Sequence, residues 1–261
     1  MVKINKIYNK DNIKGIFEIE DNFIDLTVTS PPYDNLRKYK GFKWDFEGVA
    51  NGLFRTTKVG GVVVWVVSDS TSKGSESGTS FKQALYFKEI GFNLHDTMIY
   101  SRWSGPLTHN RYEQEFEYKF VFSKGKPKTF NPIMIDSTWY GKDSDRTGQK
   151  YVIHDEINRK LRSGKERNNI HPKRIKGNIW KMNNSSQAGE RYGHPAPFPE
   201  ELARDHILSW SNKGDLVFDP FCGSGTTPKV AKELGRNYLG FEISKEYTKL
   251  AKNRVNKIEV L

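Results

Sequence analysis

Two short segments, far apart in the chain, combine polar side chains with restricted backbone in a way that suits a ligand site. The first is Thr29-Ser30-Pro31-Pro32-Tyr33, which follows a strand-like run over residues 24–29. The two prolines fix two φ angles, so the loop is stiff and places its polar groups accurately. A rigid turn with a packing tyrosine is the alternative for this segment taken alone.

The second segment is rich in glycine and lies between a predicted strand and a predicted helix. It reads Asp219-Pro220-Phe221-Cys222-Gly223-Ser224-Gly225-Thr226-Thr227, and its missing Cβ atoms let backbone amides approach a ligand closely. Glu242 ends the next predicted strand, nineteen residues after Gly223. A carboxylate there accepts hydrogen bonds from ribose hydroxyls, so an adenosyl ligand is implied. A tight strand-to-helix turn without a ligand is the alternative.

The sequence offers few residues for a metal site or for a reactive thiol. The chain has one cysteine, Cys222, and six scattered histidines, so we expect neither an internal disulfide nor a metal site. Cys222 lies inside the glycine-rich turn, and we interpret it as a small packing residue. His194 is expected to shape a loop or bond a backbone group rather than to bind a metal.

Strand-like and helix-like runs alternate along most of the chain, which predicts an α/β fold with a doubly wound, mostly parallel sheet. The predicted strands are 24–29, 62–67, 94–100, 116–122, 216–220 and 238–242. Helices are predicted over 46–57, after a cap at Thr79 or Ser80 and ending at Gly91, from Pro199 towards Gly214, after the glycine-rich turn, and after a cap at Ser244. Both turns then fall at the carboxyl edge of the sheet, where such folds build their sites.

Positive charge is concentrated in one irregular segment. The whole chain carries a formal charge of +11, and residues 124–181 hold fifteen Lys or Arg against six Asp or Glu, which accounts for +9. We interpret this segment as a nucleic-acid contact surface, although a solvated basic insertion is the alternative. The DNA-binding candidates in this segment are Arg159, Lys160, Arg162, Lys165, Arg167, Lys173, Arg174 and Lys176.

A second basic and aromatic stretch, residues 34–44, follows the proline-rich turn. Its cations are Arg37, Lys38, Lys40 and Lys43. A flap over a base or along the phosphates is one interpretation and a plain surface loop is the other.

The two turns together resemble those of the S-adenosylmethionine-dependent DNA methyltransferases that modify exocyclic amino groups. The match rests on Ser30-Pro31-Pro32-Tyr33 and on Asp219 to Thr227. A catalytic turn that precedes a target-recognition insert and then a cofactor turn resembles the permuted β arrangement of that family. The segment 194–199 resembles a further cofactor-side motif, and Asn9-Lys10-Asp11 resembles the segment that closes over the adenine.

The resemblance implies a Rossmann-like methyltransferase domain, residues 1–123 and 193–261, with a target-recognition region over 124–192. It implies S-adenosylmethionine as cofactor, S-adenosylhomocysteine as product, and no metal. Ser30, Pro31, Pro32 and Tyr33 would be catalytic. The implied cofactor-binding residues are Asp11, Asp219, Pro220, Phe221, Gly223, Ser224, Gly225, Thr226, Thr227, Glu242, His194, Pro195 and Phe198.

Several alternatives remain open at this point. A serine at the head of the turn favours cytosine N4 slightly over adenine N6 as the target. A protein amide methyltransferase and a non-catalytic DNA-binding module are more distant interpretations. Double-stranded DNA is the expected partner, and the resemblance is compatible with a homodimer and with a cognate restriction endonuclease.

The composition also bears on location. The chain has 261 residues, of which 36% are hydrophobic and 28% charged. No apolar run reaches the roughly 18 residues of a membrane span, and the N-terminal residues lack the apolar segment of a secretion signal. We therefore expect a cytoplasmic protein without a membrane partner.

Overall fold

A computed structural model describes five parts of the chain: residues 2–32, 45–101, 112–137, 172–182 and 199–258. The chain divides into two compact units, one comprising Met1–Asn131 with Asn178–Leu261 and the other comprising Pro132–Gly177. In these parts, no helix has the length and apolar character needed to cross a membrane.

The first unit contains both strands and helices, and the described residues of the second unit include one pair of short antiparallel strands. The strands are β1 Lys6–Asn9, β2 Ile24–Thr29, β3 Thr57–Val67, β4 Thr71–Ser72, β5 Ser75–Glu76, β6 Asn93–Ser101, β7 Phe116–Ser123, β8 Met134–Asp136, β9 Lys173–Ile175, β10 Ile179–Lys181, β11 Leu216–Asp219 and β12 Asn237–Glu242. The helices are α1 Asn12–Phe17, α2 Phe46–Thr56, α3 Thr79–Glu89, α4 Glu200–Trp210, α5 Thr226–Glu233 and α6 Lys245–Asn256.

Eight strands of the first unit form one sheet in the order β1-β12-β11-β2-β3-β7-β6-β10. Every neighbouring pair is parallel except the two pairs that include β7. The main core lies where α1, α2 and α3 pack on the sheet, and a smaller cluster joins Cys222 to Ile7, Ala251 and Val255. The predicted doubly wound, mostly parallel α/β fold is confirmed.

Aromatic side chains fill the main core next to the carboxyl end of β3. Trp65 is fully buried, and its indole nitrogen donates to Oε1 of Gln83 at 2.8 Å. Phe87 stacks on Phe122 with ring centroids 4.5 Å apart. A buried indole needs such an acceptor, so the Trp65–Gln83 bond fixes α3 against β3.

Gly60 and Gly61 lie within β3, although the sequence predicts that they precede the strand. The register of β2 against β3 shifts between Ile24 and Leu26, and Gly60 has φ +84°. Such a backbone conformation suits glycine. The strand therefore continues past this break in register, and the glycine pair marks an irregularity in the strand rather than a connecting turn.

The predicted cap of α3 is also wrong. Gly78, rather than Thr79 or Ser80, is the N-cap, and it makes no side-chain capping bond. Asp69, just after β3, accepts the Ser80 amide at 2.9 Å, so a carboxylate from another element satisfies the exposed helix amide. The predicted caps hold elsewhere, since Ser244 caps α6 through the Tyr247 amide and Pro199 begins α4.

Candidate active site

The proline-rich and glycine-rich turns leave adjacent strands at the same edge of the sheet. β2 and β11 are parallel neighbours, with Phe218 opposite Thr27. At the carboxyl ends of these strands, Thr29 Oγ1 donates to Asp219 Oδ1 at 2.7 Å, within the protein interior. Thr227 Oγ1 donates to the Val28 carbonyl at 3.0 Å. The predicted adjacency of the two turns is confirmed.

The first residues of the proline-rich turn are restrained by the residues next to them. Thr29 is buried beside Trp65 in the register of β2 with β3. Ser30 is half-buried, Pro31 is buried and Pro32 is half-buried. Because Thr29 is fixed by Asp219 and Pro31 has a restricted φ, Ser30 lies between two constrained residues.

The glycine-rich turn ends in a left-handed residue at the start of α5. Gly225 is the N-cap of α5 with φ +82°, and its amide donates to the Cys222 carbonyl at 2.8 Å. A Cβ at Gly225 would lie 2.7 Å from the Cβ of Ala251 in α6. The turn therefore requires glycine for two reasons, namely its backbone conformation and its close approach to α6.

Asp219 is a buried carboxyl group between the two turns. It accepts hydrogen bonds from Thr29 and from the Phe221 amide at 3.0 Å. The pKa of Asp219 is raised from an ordinary value of 3.8 to about 6, chiefly by burial and in small part by the charge of Glu242, while interactions with Thr29, Phe221 and Thr227 limit the rise. Desolvation of the charged form is thus the dominant effect.

The Glu242 carboxylate accepts hydrogen bonds from backbone amides of the glycine-rich turn and of the segment that follows β12. Its Oε2 accepts the Gly223 amide and its Oε1 accepts the Ser244 amide, each at 2.8 Å. Burial raises the pKa of Glu242, and amide bonds from Ser244, Gly223 and Ile243 oppose the rise. A carboxylate has about four acceptor positions, so these three amides leave capacity for at least one further donor.

The end of β1 completes this edge. Asn9 lies opposite Glu242 in the parallel register, and the Lys10 amide donates to the Glu242 carbonyl at 3.0 Å. Asp11 is the N-cap of α1, and its Oδ1 accepts the Lys14 amide at 3.0 Å. The carboxyl ends of β1, β12, β11 and β2 thus place Asp11, Glu242, Asp219 and Ser30 along one edge.

The side chains of the glycine-rich turn face the protein interior. Every member of the turn is buried except Phe221, which is half-buried; the buried members are Asp219, Pro220, Cys222, Gly223, Ser224, Gly225, Thr226 and Thr227. Ser224 and Thr227 use their hydroxyls within the protein, on Arg254 and on Val28, and Phe221 packs edge-on to Trp65. The surface that this turn offers to a ligand is therefore largely backbone.

Cys222 packs as the sequence predicts. It is buried in the cluster with Ala251 and Val255. Burial raises the pKa of the Cys222 thiol well above its ordinary value, and the charges of Asp219 and Glu242 raise it further. A thiol in this environment stays protonated and is a poor nucleophile.

Many of the predicted site residues lie outside the described residues. In the turn and cofactor segments these are Tyr33, His194, Pro195 and Phe198. Among the predicted DNA contacts they are Arg37, Lys38, Lys40, Lys43, Arg159, Lys160, Arg162, Lys165 and Arg167.

The remaining predicted DNA contacts lie on or beside the antiparallel β8–β9 strand pair of the second unit. Lys173, Arg174 and Lys176 are on β9 or directly after it. Lys173 forms an exposed ion pair with Asp136 at 2.6 Å. That ion pair offsets one positive charge of the strand pair.

Two residues of the site were not singled out from the sequence. Thr29 bridges the turns, and its place directly before Ser30 at the end of a buried strand is a signal that could have indicated this role. Arg254 of α6 contacts Ser224, and its signal is weaker: an arginine three residues after Ala251, on a helix face whose neighbours are apolar.

Comparison with known proteins gives a consistent result. A family model described as DNA methylase matches residues 24–253. The chain is 53% identical over 250 residues to the orphan methyltransferase M.BamHII of Bacillus amyloliquefaciens, and the match covers 93% of this chain and 92% of the relative.

Solved structures show the same fold. The PvuII DNA methyltransferase, described as cytosine-N4-specific, matches with a TM-score of 0.69 and 21% identity over 98% of this chain and 92% of its own. The M1.HpyAVI complex with S-adenosylmethionine matches with a TM-score of 0.60 and 24% identity over 96% and 98%.

Replacing Gly225 with alanine tests the close approach of the turn to α6. Gly214 is the matched control, because it has φ +87° but no atom lies within 4 Å of where its Cβ would be. We expect Gly214→Ala to lower the free energy of unfolding by about 1 kcal/mol through backbone strain alone. Gly225→Ala should cost roughly 1 to 3 kcal/mol more because of overpacking. Urea unfolding measures both, and equal losses would contradict the contact.

Replacing Asp219 with asparagine tests its raised pKa. Between about pH 4 and pH 6 the folded parent binds more protons at this carboxyl than the unfolded chain does, so its free energy of unfolding falls as pH rises. The Asp219→Asn variant lacks this dependence. From pH 4 to pH 7 the variant should gain roughly 2 kcal/mol relative to the parent in urea unfolding.

The exposed carboxylate Asp136 supplies a matched Asp-to-Asn control for the substitution itself, because its side chain is 86% exposed and its ion pair with Lys173 lies at the surface. Parallel profiles for the parent and Asp219→Asn would show that the raised pKa of Asp219 is wrong.

Proposed function

The chain belongs to the DNA methylase family, whose model spans residues 24–253, and we propose that it transfers a methyl group from S-adenosylmethionine to the exocyclic amine of a base in double-stranded DNA, at cytosine N4. The observation that carries this proposal is the adjacency of the two turns. Thr29 and Asp219 are hydrogen-bonded at 2.7 Å. Ser30 directly follows Thr29, and the glycine-rich turn begins at Asp219, so both lie next to this bond.

The described residues fit S-adenosylmethionine. The glycine-rich turn presents backbone at the start of α5, and Glu242 keeps acceptor capacity for a ribose hydroxyl. Asp11 lies at the end of the strand paired with β12. When bound, S-adenosylmethionine supplies an electrophilic methyl group on a sulfonium. We assign Asp11, Glu242 and the turn from Asp219 to Thr227 to its binding, together with the segment that contains His194, Pro195 and Phe198.

The proline-rich turn is assigned to the target base. The lone pair of an exocyclic amine is delocalised into the ring, which makes the nitrogen a poor nucleophile. If Ser30 Oγ and the Pro31 carbonyl accept the two amine hydrogens, the nitrogen can pyramidalise and direct its lone pair towards the methyl group. Ser30 orients the amine and accepts a hydrogen bond. Its hydroxyl is too weak a base to remove the proton, which is released to water after transfer.

A base inside a duplex is out of reach of such a site, so the proposal includes base flipping. Unstacking and unpairing a base costs a few kcal/mol. Tyr33 is assigned to stack on the flipped base and offset part of this cost, and Pro32 to keep the turn rigid.

The basic segments are assigned to the DNA backbone and grooves. Their positive charge supplies phosphate contacts whose strength falls steeply with salt. On the β8–β9 strand pair, Lys173 is already paired with Asp136, so Arg174 is the stronger candidate for a phosphate or base contact. A DNA substrate supports a cytoplasmic location, while a homodimer and a partner endonuclease stay predictions.

Cytosine N4 is proposed as the target because a serine heads the proline-rich turn. Both amines offer the same pair of donors, so adenine N6 is the competing outcome.

Incubating the purified protein with S-adenosylmethionine labelled in its methyl group and duplex DNA of mixed sequence tests the activity. Mass spectrometry of the nucleosides should then find N4-methylcytosine. Finding N6-methyladenine would overturn the choice of base. If no label is transferred to the DNA, the proposal is overturned.

Ser30→Ala and Glu242→Gln form a reciprocal pair that separates the two halves of the site. Ser30→Ala should keep the dissociation constant for S-adenosylmethionine and lose about 100-fold or more in turnover, since it removes an acceptor used in the transition state. Glu242→Gln should weaken cofactor binding by about tenfold, since it replaces an ionic acceptor by a neutral one. Calorimetric titration and turnover at saturating cofactor measure both. Unchanged turnover in Ser30→Ala would remove Ser30 from the mechanism.

A further inference from the structure

Helix α6 supports the glycine-rich turn through a buried arginine. Arg254 is only 8% exposed. Its Nη1 donates to the Ser224 carbonyl at 2.7 Å and to Ser224 Oγ at 2.9 Å. Its Nη2 donates to Glu200 Oε1 at 2.7 Å. One guanidinium therefore joins the centre of the turn to the first residue of α4.

The Glu200 carboxylate is shared with a second cation. Lys229 of α5 donates to both Glu200 oxygens at 2.8 and 2.7 Å and lies 3.1 Å from Glu233. Arg204 of α4 pairs with Glu233 at 2.5 Å. Burial alone would lower the pKa of Lys229, but its bonds and charge interactions with Glu200 and Glu233 raise it. The network thus connects α4, α5 and α6 through alternating charges.

One end of the Arg254 bridge lies in a segment assigned to the cofactor, and the other end adjoins such a segment. Ser224 is at the centre of the glycine-rich turn. Glu200 follows Pro199, the N-cap of α4, and the assigned residues His194, Pro195 and Phe198 come directly before Pro199 in the sequence. Arg254 itself lies about thirty residues from the turn, on a helix without any recognised motif.

Arg254 also fixes the orientation of one peptide group in the turn. The peptide between Ser224 and Gly225 is planar, so its carbonyl and its N–H point in opposite directions. Arg254 binds that carbonyl, and the Cys222 carbonyl accepts that N–H at 2.8 Å. Because Gly225 has φ +82° and can rotate more freely than other residues, this double attachment replaces the restraint that a side chain would give.

We propose that Arg254 is a positioning residue for the cofactor: it orients the Ser224–Gly225 peptide and ties the glycine-rich turn to the start of α4. This role rests on the proposed function, since it requires the turn to bind S-adenosylmethionine. A guanidinium suits the task because its planar fork donates to two groups at fixed angles and stays charged when buried. A lysine retains the charge but not the fork.

The test compares Arg254→Met and Arg254→Lys with Arg204→Met. Arg204 is the matched control, because it contributes a cation to the same network through Glu233 but is not bonded to the turn in the described structure. For each variant, calorimetry gives the dissociation constant for S-adenosylmethionine, fluorescence anisotropy gives that for duplex DNA, and circular dichroism gives the melting temperature.

Arg254→Met should weaken cofactor binding about tenfold or more, as expected for loss of charge-assisted hydrogen bonds, with DNA affinity within about twofold of the parent. Arg254→Lys should recover part of the loss. Arg204→Met should lower the melting temperature without changing cofactor affinity. A merely structural arginine predicts another result: a lower melting temperature in Arg254→Met with unchanged cofactor affinity, which would overturn the proposal.

If Arg254→Met does not fold, Glu200→Gln decides the question. It keeps the volume of the side chain and weakens the bonds that Glu200 accepts from Arg254 and from Lys229. Of these two cations, Arg254 is the one that bonds the glycine-rich turn in the described structure, so cofactor affinity should fall about threefold while DNA affinity is retained. Unchanged cofactor affinity would overturn the link. A parent protein that binds no S-adenosylmethionine would overturn the proposed function and this inference together, whereas a parent that binds it and variants that bind equally well would overturn the inference alone.

Discussion

The parallel pairing of β2 with β11 is the constraint on which the candidate site depends. It brings together segments that are 190 residues apart in the chain, and the buried bond from Thr29 to Asp219 connects them at the point where both strands end. A carboxylate in this position is costly to desolvate, as the raised pKa of Asp219 shows. The Thr29 hydroxyl and the Phe221 amide offset part of that cost. The same groups that reduce the desolvation penalty also fix the two turns relative to each other.

The glycine-rich turn illustrates how flexible residues become part of an ordered site. Gly223 and Gly225 have positive φ angles, and they have no side chains that could add contacts. Order comes instead from α6, where Ala251 approaches Gly225 and Arg254 binds Ser224. Burying the charge of Arg254 would be unfavourable without the carboxylate of α4 that pairs with it, since an unpaired buried charge is strongly destabilising. The ion-pair network thus allows a cation to lie beneath the turn.

Local signals in the sequence predict part of the fold and site, and long-range contacts determine the rest. Ser30-Pro31-Pro32 and the turn from Asp219 to Thr227 have residue types whose conformational preferences act over a few positions, and the apolar strands next to them are confirmed. Short strands such as β1 and β10 carry too few residues for a periodic pattern, so their positions depend on pairing with distant strands. Gly60 and Gly61 resemble a loop in sequence, yet β3 pairs with β2 on both sides of them, at Thr57 and at Val62, and both glycines bond the backbone of Lys124, directly after β7. In the sequence, Arg254 resembles any surface cation of an amphipathic helix. Its contact with the glycine-rich turn is visible only in the folded structure.

Charge connects the geometry of this edge to the proposed cofactor. Asp219 and Glu242 both have pKa values raised chiefly by burial, and the charge of Glu242 adds to the rise at Asp219. Two carboxyl groups with raised pKa values favour a cationic ligand, since a nearby positive charge stabilises their ionised forms. S-adenosylmethionine carries a sulfonium cation, whereas its demethylated product is neutral at that sulfur. Loss of the methyl group therefore removes the positive charge at that sulfur, so the same electrostatics that favour binding of the donor favour release of the product.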